Sequence, residues 1–111
     1  GSLRRWHSWA ADYWLDKGER SERLFHLIKS GRNLEANWLA MRMKADILFS
    51  PSDDLLESLS MIRPESGLER SMAWLCAEAA IGCRDLKKAR EMAEKLRRLE
   101  SPEHMTVMSQ I

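Results

Sequence analysis

The stretch Ala73-Trp74-Leu75-Cys76-Ala77-Glu78-Ala79-Ala80-Ile81-Gly82-Cys83, with Leu86-Lys87-Lys88-Ala89-Arg90-Glu91-Met92-Ala93-Glu94-Lys95-Leu96 behind it, decides the fold. Small residues recur in both halves at helical spacing: Ala73, Ala77 and Ala80 in the first, Ala89 and Ala93 in the second. Helices cross closely only where side chains at the contact are small. In the second half Leu86, Ala89, Ala93 and Leu96 make one stripe, with charges elsewhere. Two such helices joined near Arg84 read as an antiparallel hairpin packed through alanines.

The same punctuation runs outward from this hairpin. Gly18 and Gly31 are candidate helix stops, because glycine adopts the left-handed cap conformation without steric cost. Ser50-Pro51-Ser52-Asp53 reads as a helix start, with Ser50 as cap and Pro51 at the first helical position. Ser101-Pro102-Glu103 repeats that signature, and Ser66-Gly67-Leu68-Glu69 has the capping-box spacing. Pro64 disfavours helix at Arg63. These marks predict helices over 3–17, 20–30, 34–49, 51–62, 67–83, 85–100 and 102–110. The third is apolar on two sides: Leu34, Trp38, Met41, Ala45 and Leu48 form one stripe, and Leu39, Met43 and Ile47 another. Such a helix is normally packed between neighbours.

The turns within hairpins fall near Gly18, Pro51 and Arg84, at intervals of 33 residues. With two helices per unit, this spacing resembles the tetratricopeptide repeat. Within the third unit, Ala77 and Ala89 stand where the family pattern wants small residues. The large aromatic expected at Ala80 and the turn glycine expected at Arg84 are absent, and Pro102 falls one residue late. The expectation is an all-α fold: antiparallel hairpins stacked as a tetratricopeptide-like array, three hairpins plus a C-terminal helix, 102–110, closing the open end. Gly1-Ser2 reads as a remnant of expression cloning, leaving residues 3–111 as a single domain.

Composition narrows the function classes. The chain has 111 residues, 32% charged and 44% hydrophobic, with net charge +1. Charges are interleaved: among Lys87, Lys88, Arg90, Lys95, Arg97 and Arg98 stand Glu91, Glu94 and Glu100. That pattern is a solvated helix face rather than a nucleic-acid or membrane-binding patch. There is no signal peptide and no apolar run near the length of a membrane span, so a cytoplasmic location is expected. Cys76 and Cys83 lie seven residues apart on one helix, roughly 10 Å along its axis, which is too far for a disulfide. His7, His26 and His104 fall in separate helices, neither His-x-x-x-His nor Cys-x-x-Cys occurs, and no glycine-rich phosphate loop is present. No catalytic group, metal or cofactor is expected, and the chain reads as a non-enzyme.

The aromatic residues remain. Trp6, Trp9, Tyr13 and Trp14 crowd the first helix, the first three on one stripe and Trp14 rotated from it. Trp38-Leu39 and Trp74-Leu75 sit at comparable places in two hairpins. Two readings stay open for each tryptophan: core packing, or contact with a partner, since aromatics are enriched at binding hot spots. A first helix has no preceding repeat, so part of its aromatic surface should be exposed.

In tetratricopeptide arrays the first helix of each hairpin lines a concave groove. Carried over, this resemblance implies groove positions Ser71, Trp74, Glu78, Ile81 and Gly82 in the third unit. In the second it implies Trp38, Met41, Ala45 and Leu48, and in the first Arg5, Ser8, Asp12, Leu15 and Asp16. The length, the Trp74–Gly82 stretch and Leu99-Glu100-Ser101-Pro102 further resemble the YscG-like needle chaperones of bacterial type III secretion. That likeness implies a cytosolic chaperone holding an amphipathic helix of an aggregation-prone subunit, in a heterodimer or heterotrimer. The alternative is a helical-repeat fragment of a larger MalT-like or LuxR-type regulator.

Overall fold

Three helix ends share one device. Helix α1 (Ser2–Lys17) stops at Gly18 and α2 (Arg20–Lys29) at Gly31, with φ of +72° and +81°. In each, the left-handed residue and the one after it donate backbone N–H groups back into the last turn: Gly18 to Leu15 and Glu19 to Trp14, Gly31 to Ile28 and Arg32 to Leu27. This double bond satisfies carbonyls that the helix end would otherwise leave open. The third instance closes α6 (Glu69–Gly82), where Arg84 donates to Ile81 and Asp85 to Ala80. Arg84 takes φ +60° there, standing in the left-handed position where the repeat pattern places glycine.

The computed structural model describes residues 2–99, and the expected closing helix 102–110 lies outside them. Among the described residues the chain forms seven helices: α1, α2, α3 (Asn33–Arg42), α4 (Lys44–Phe49), α5 (Asp53–Met61), α6 and α7 (Leu86–Leu99). The expected single helix over 34–49 is two. At Met43 the chain tightens, its N–H bonding to Ala40 three residues back, before Ile47 resumes the four-residue pattern onto Met43. No proline or glycine causes this break. The Met43 side chain is fully buried, so the tightened turn sits where the helix is gripped by the core.

Two caps also differ from expectation. The α5 cap is Ser52, whose hydroxyl accepts the Leu55 N–H at 3.1 Å, and Pro51 stands outside the helix. Pro51 instead packs against Gly82, where a Cβ would press into the proline ring. At α6 the glutamate of the expected box reaches back to the Gly67 N–H at 2.9 Å rather than to Ser66. Gly67 is left-handed, so the chain turns one residue later than the box requires.

Helices α1 and α2 pack as one antiparallel pair, and α6 and α7 as another. Between them α3, α4 and α5 bridge, α3 and α4 lying against α6, and α5 against both α2 and α6. The first helices run the same way. Ser8 of α1 is bonded to Arg32 at the start of α3, while Trp14 and Leu15 approach Leu39 and Arg42 near its end. The α3 start is tied to the segment before α6, and Pro51 beyond α4 meets Gly82 at the α6 end. So α1, α3–α4 and α6 form one layer of parallel helices, with α2 and α5 beside each other behind them. The extents are 45 × 31 × 23 Å.

The core between the layers is aliphatic. Leu24, Leu27, Leu39, Met43, Ile47, Leu55, Leu59 and Leu75 fill it, with Ala11, Ala36, Ala40, Ala79 and Ala80 at the closest approaches. Burying each leucine or isoleucine removes about 1.5–3 kcal/mol worth of apolar surface from water. The alanines let backbones approach closely, which is also why no tryptophan is needed inside. Among the described residues no helix is long and apolar enough to cross a membrane.

Candidate functional site

The tryptophans resolve against core packing. Trp6, Trp9 and Trp38 are 52%, 61% and 53% exposed, Trp74 is 36% exposed, and only Trp14 is half-buried. Of the two stripes on the third expected helix, Leu39, Met43 and Ile47 are buried, while Leu34, Trp38 and Leu48 face outward with Met41 half-buried. Leu34, Trp38 and Met41 follow at helical spacing, so they share one face of α3. On α6, Trp74, Glu78 and Ile81 share a face by the same spacing, with Ile81 exposed and Glu78 half-buried.

Packing α3 and α4 against α6 brings these faces together. Between them lies an open cleft of about 380 Å³ lined by Met41, Lys44, Arg70, Ser71, Trp74, Leu75 and Leu96. The Lys44 ammonium stands 5.1 Å from the Trp74 ring centre, over its face, an arrangement that favours cation–π attraction. Lys44, Arg70 and Leu96 were not legible as site residues, because each joins the cleft through helix packing rather than through a motif. Gly82, expected in the groove, is taken up by its contact with Pro51.

Two polar clusters set how the helices stand. Asn37, fully buried on α3, donates to the Asn33 and Arg63 carbonyls at 2.9 and 3.0 Å and accepts the Glu65 N–H at 3.0 Å. Asn33 donates to the same Arg63 carbonyl and to Glu65. This knot fixes the segment before α6 to α3, and so fixes the cleft between them. Arg32 does the same for α1. Its Nη1 donates to Ser8 and, at 3.0 Å, to Asp12, while Nε and Nη2 grip Glu35 at 2.8 and 2.7 Å. That grip holds the Glu35 carboxyl below the usual glutamate value. Ser8 and Asp12, expected to line the groove, are therefore engaged by Arg32.

The aromatic residues of α1 form a separate surface. Trp9 and Tyr13 stack at 5.6 Å, Trp14 meets Tyr13 edge-on, and Lys17 lies over the Tyr13 ring. Trp6 packs edge-on against His26 of α2, and His7 and His26 share a 2.7 Å contact between their Nδ1 atoms. One ring must donate and the other accept, so the pair cannot keep this bond with both rings protonated. Burial, and then His7, hold His26 below the ordinary histidine value, with Glu22 opposing. The structure does not bring Trp6, Trp9, Tyr13 or Trp14 into the cleft at Trp74.

The thiols are chemically quiet. Cys76 is buried, with its Sγ 3.8 Å from the Ser60 hydroxyl, and burial pushes its thiol up from the ordinary value. Cys83 is half-buried and is also raised, by burial and then by Asp53. Raised thiols carry little nucleophilic thiolate. Among the described residues no three His, Cys, Asp or Glu side chains are grouped to share a metal ion. No family model, curated protein or solved structure matches the chain.

Proposed function

We propose that this chain is a tetratricopeptide-like helical-repeat module that binds an amphipathic helix of another protein along the face built by α3, α4 and α6. One observation carries the reading. The largest apolar side chains on this face, Trp38, Leu48, Trp74 and Ile81, stand exposed while smaller alanines and leucines make the core. Contiguous exposed apolar surface marks an interaction site more often than it marks a solvated face. The parallel arrangement of α1, α3–α4 and α6 and the interval of 33 residues support the repeat. A helix laid into such a groove uses apolar anchors at i, i+3, i+4 and i+7, which suits the row Leu34, Trp38, Met41 and its neighbour Trp74, Ile81.

The module is read as a binder rather than an enzyme, in the manner of a small cytosolic chaperone or adaptor that covers an aggregation-prone helical subunit. A second small chaperone alongside would account for the aromatic surface of α1. The interleaved charges support a protein rather than a nucleic acid or membrane as the partner. The test is affinity capture from the source cell, followed by Trp74→Ala and Ile81→Asp variants checked to remain folded by circular dichroism. Loss of the captured protein with retained fold supports the groove. Undiminished capture by both variants removes it and moves the contact to Trp6, Trp9, Tyr13 and Trp14.

A further inference from the structure

Because α7 runs antiparallel to α6, its last turn lies beside the first turn of α6. Leu96 lines the cleft together with Arg70, Trp74 and Met41, and Leu99 follows three residues later. The chain therefore leaves α7 at the mouth of the groove, carrying residues 100–111 with it.

We propose that residues 100–111 are the resting occupant of this groove, seated against Met41, Lys44 and Trp74 until a partner helix displaces them. The inference rests on the groove reading above. Length permits it: twelve residues reach about 18 Å as a helix, and about 40 Å extended, against about 21 Å for the whole of α6. The chemistry also matches in order along the chain. Glu100 and Glu103 come first, where Lys44 and Arg70 line the cleft. Met105, Val107, Met108 and Ile111 come next, with Met105 and Met108 three apart and Val107 and Ile111 four apart, as a helical anchor row requires. Methionine adapts to irregular apolar surfaces, which suits an occupant that must also leave.

The competing seat, the outer side of α7, offers less. Lys87, Arg90, Glu91, Glu94 and Arg97 are exposed there, and none of the α7 side chains is fully buried. Methionines laid on that charged face would bury little apolar surface. A tethered segment, by contrast, acts at an effective concentration near millimolar, so even weak contacts with Trp74 keep the groove covered. A free partner helix must then outcompete the tail, which makes occupancy selective for tight binders.

The experiment places a benzoylphenylalanine photo-crosslinker at position 108 of the full chain and irradiates the dilute protein alone. Cross-linked sites are then mapped by mass spectrometry. Intramolecular links to the Met41–Lys44 and Arg70–Trp74 segments are expected, and they should be lost when Met105→Glu is added. Links confined to α7, links between two copies, or no links overturn the proposal. A second readout is the dye 1-anilinonaphthalene-8-sulfonate, whose emission should rise in the Met105→Glu/Met108→Glu double variant and fall back when Trp74→Ala is added. Unchanged emission in the double variant also overturns it. Partner capture by the same double variant separates the two ideas. If capture persists while cross-links miss the groove, the tail inference falls and the groove reading stands. If cross-links reach the groove but no partner is captured, the reverse holds.

Discussion

Replacing Arg84 by glycine should stabilise the protein, and the size of the effect follows from the backbone. Arg84 holds φ +60° at the end of α6, in the hydrogen-bonded arrangement that Gly18 and Gly31 make at +72° and +81°. A residue with a Cβ costs about 1–2 kcal/mol in the left-handed region, where Cβ crowds the following carbonyl oxygen. Glycine removes that cost but enters folding with a freer unfolded chain, which takes back about 0.5–1 kcal/mol. The net expectation for Arg84→Gly is a gain of about 0.5–1 kcal/mol, or about 2–8 °C in Tm for a domain of this size. The reciprocal change is Gly18→Ala. A Cβ built at Gly18 meets nothing within 4 Å, so this substitution isolates the backbone cost without a clash. It should destabilise by about 1 kcal/mol or more. Both are read by urea denaturation followed by circular dichroism. A destabilised Arg84→Gly alongside a neutral Gly18→Ala would refute the account of the helix ends. The same result would break the repeat register in which Arg84 occupies the turn-glycine position.

Three further outcomes test the packing. Asn37→Ala should cost about 1–3 kcal/mol, because it strips the partner from the Glu65 N–H beside the cleft, whereas Asn33 still reaches the Arg63 carbonyl; a change under half a kcal/mol would show the knot to be dispensable. Ala89 packs half-buried against the core, so Ala89→Trp should destabilise by about 1–3 kcal/mol through overpacking, with exposed Lys87→Ala near neutral as the control; Lys88 is unsuitable because it is half-buried. Equal mildness of Ala89→Trp and Lys87→Ala in the melt would displace the α6–α7 register. The His7–His26 contact should make stability fall in acid. His26 is held below its ordinary value of 6.5 by burial, so the unfolded chain takes up protons that the folded chain resists. The contribution is complete above about pH 6.5 and is lost as the pH falls through it toward the lowered folded value. The Glu35 contribution, with its carboxyl held low by Arg32, disappears only further into acid, below 4.5. The urea midpoint should therefore drop between about pH 7.5 and pH 5.5 and flatten in His26→Gln. An unchanged midpoint in the wild-type chain would sink the pair.

Helix ends and hairpin spacing are local properties, and the amino-acid order alone determined them. Gly18 and Gly31 stop helices because only the backbone conformation at that residue is at issue, and the interval of 33 marks Arg84 as a turn without any knowledge of neighbours. Ala77 and Ala89 likewise announce a close α6–α7 crossing, because small side chains at helical spacing have few other uses. What periodicity cannot state is which stripe of a helix finds a cover. The third expected helix carries two apolar stripes of similar strength, and only the stacking of α3 and α4 against α6 buries Leu39, Met43 and Ile47 while leaving Trp38 and Leu48 outside. The tryptophans stay out because alanines at the crossings bring backbones too near for an indole between them. The break at Met43, the Asn37 knot and the Arg32 grip are decided by tertiary structure too. Each joins residues far apart in sequence, so its hydrogen bonds exist only once the helices have met.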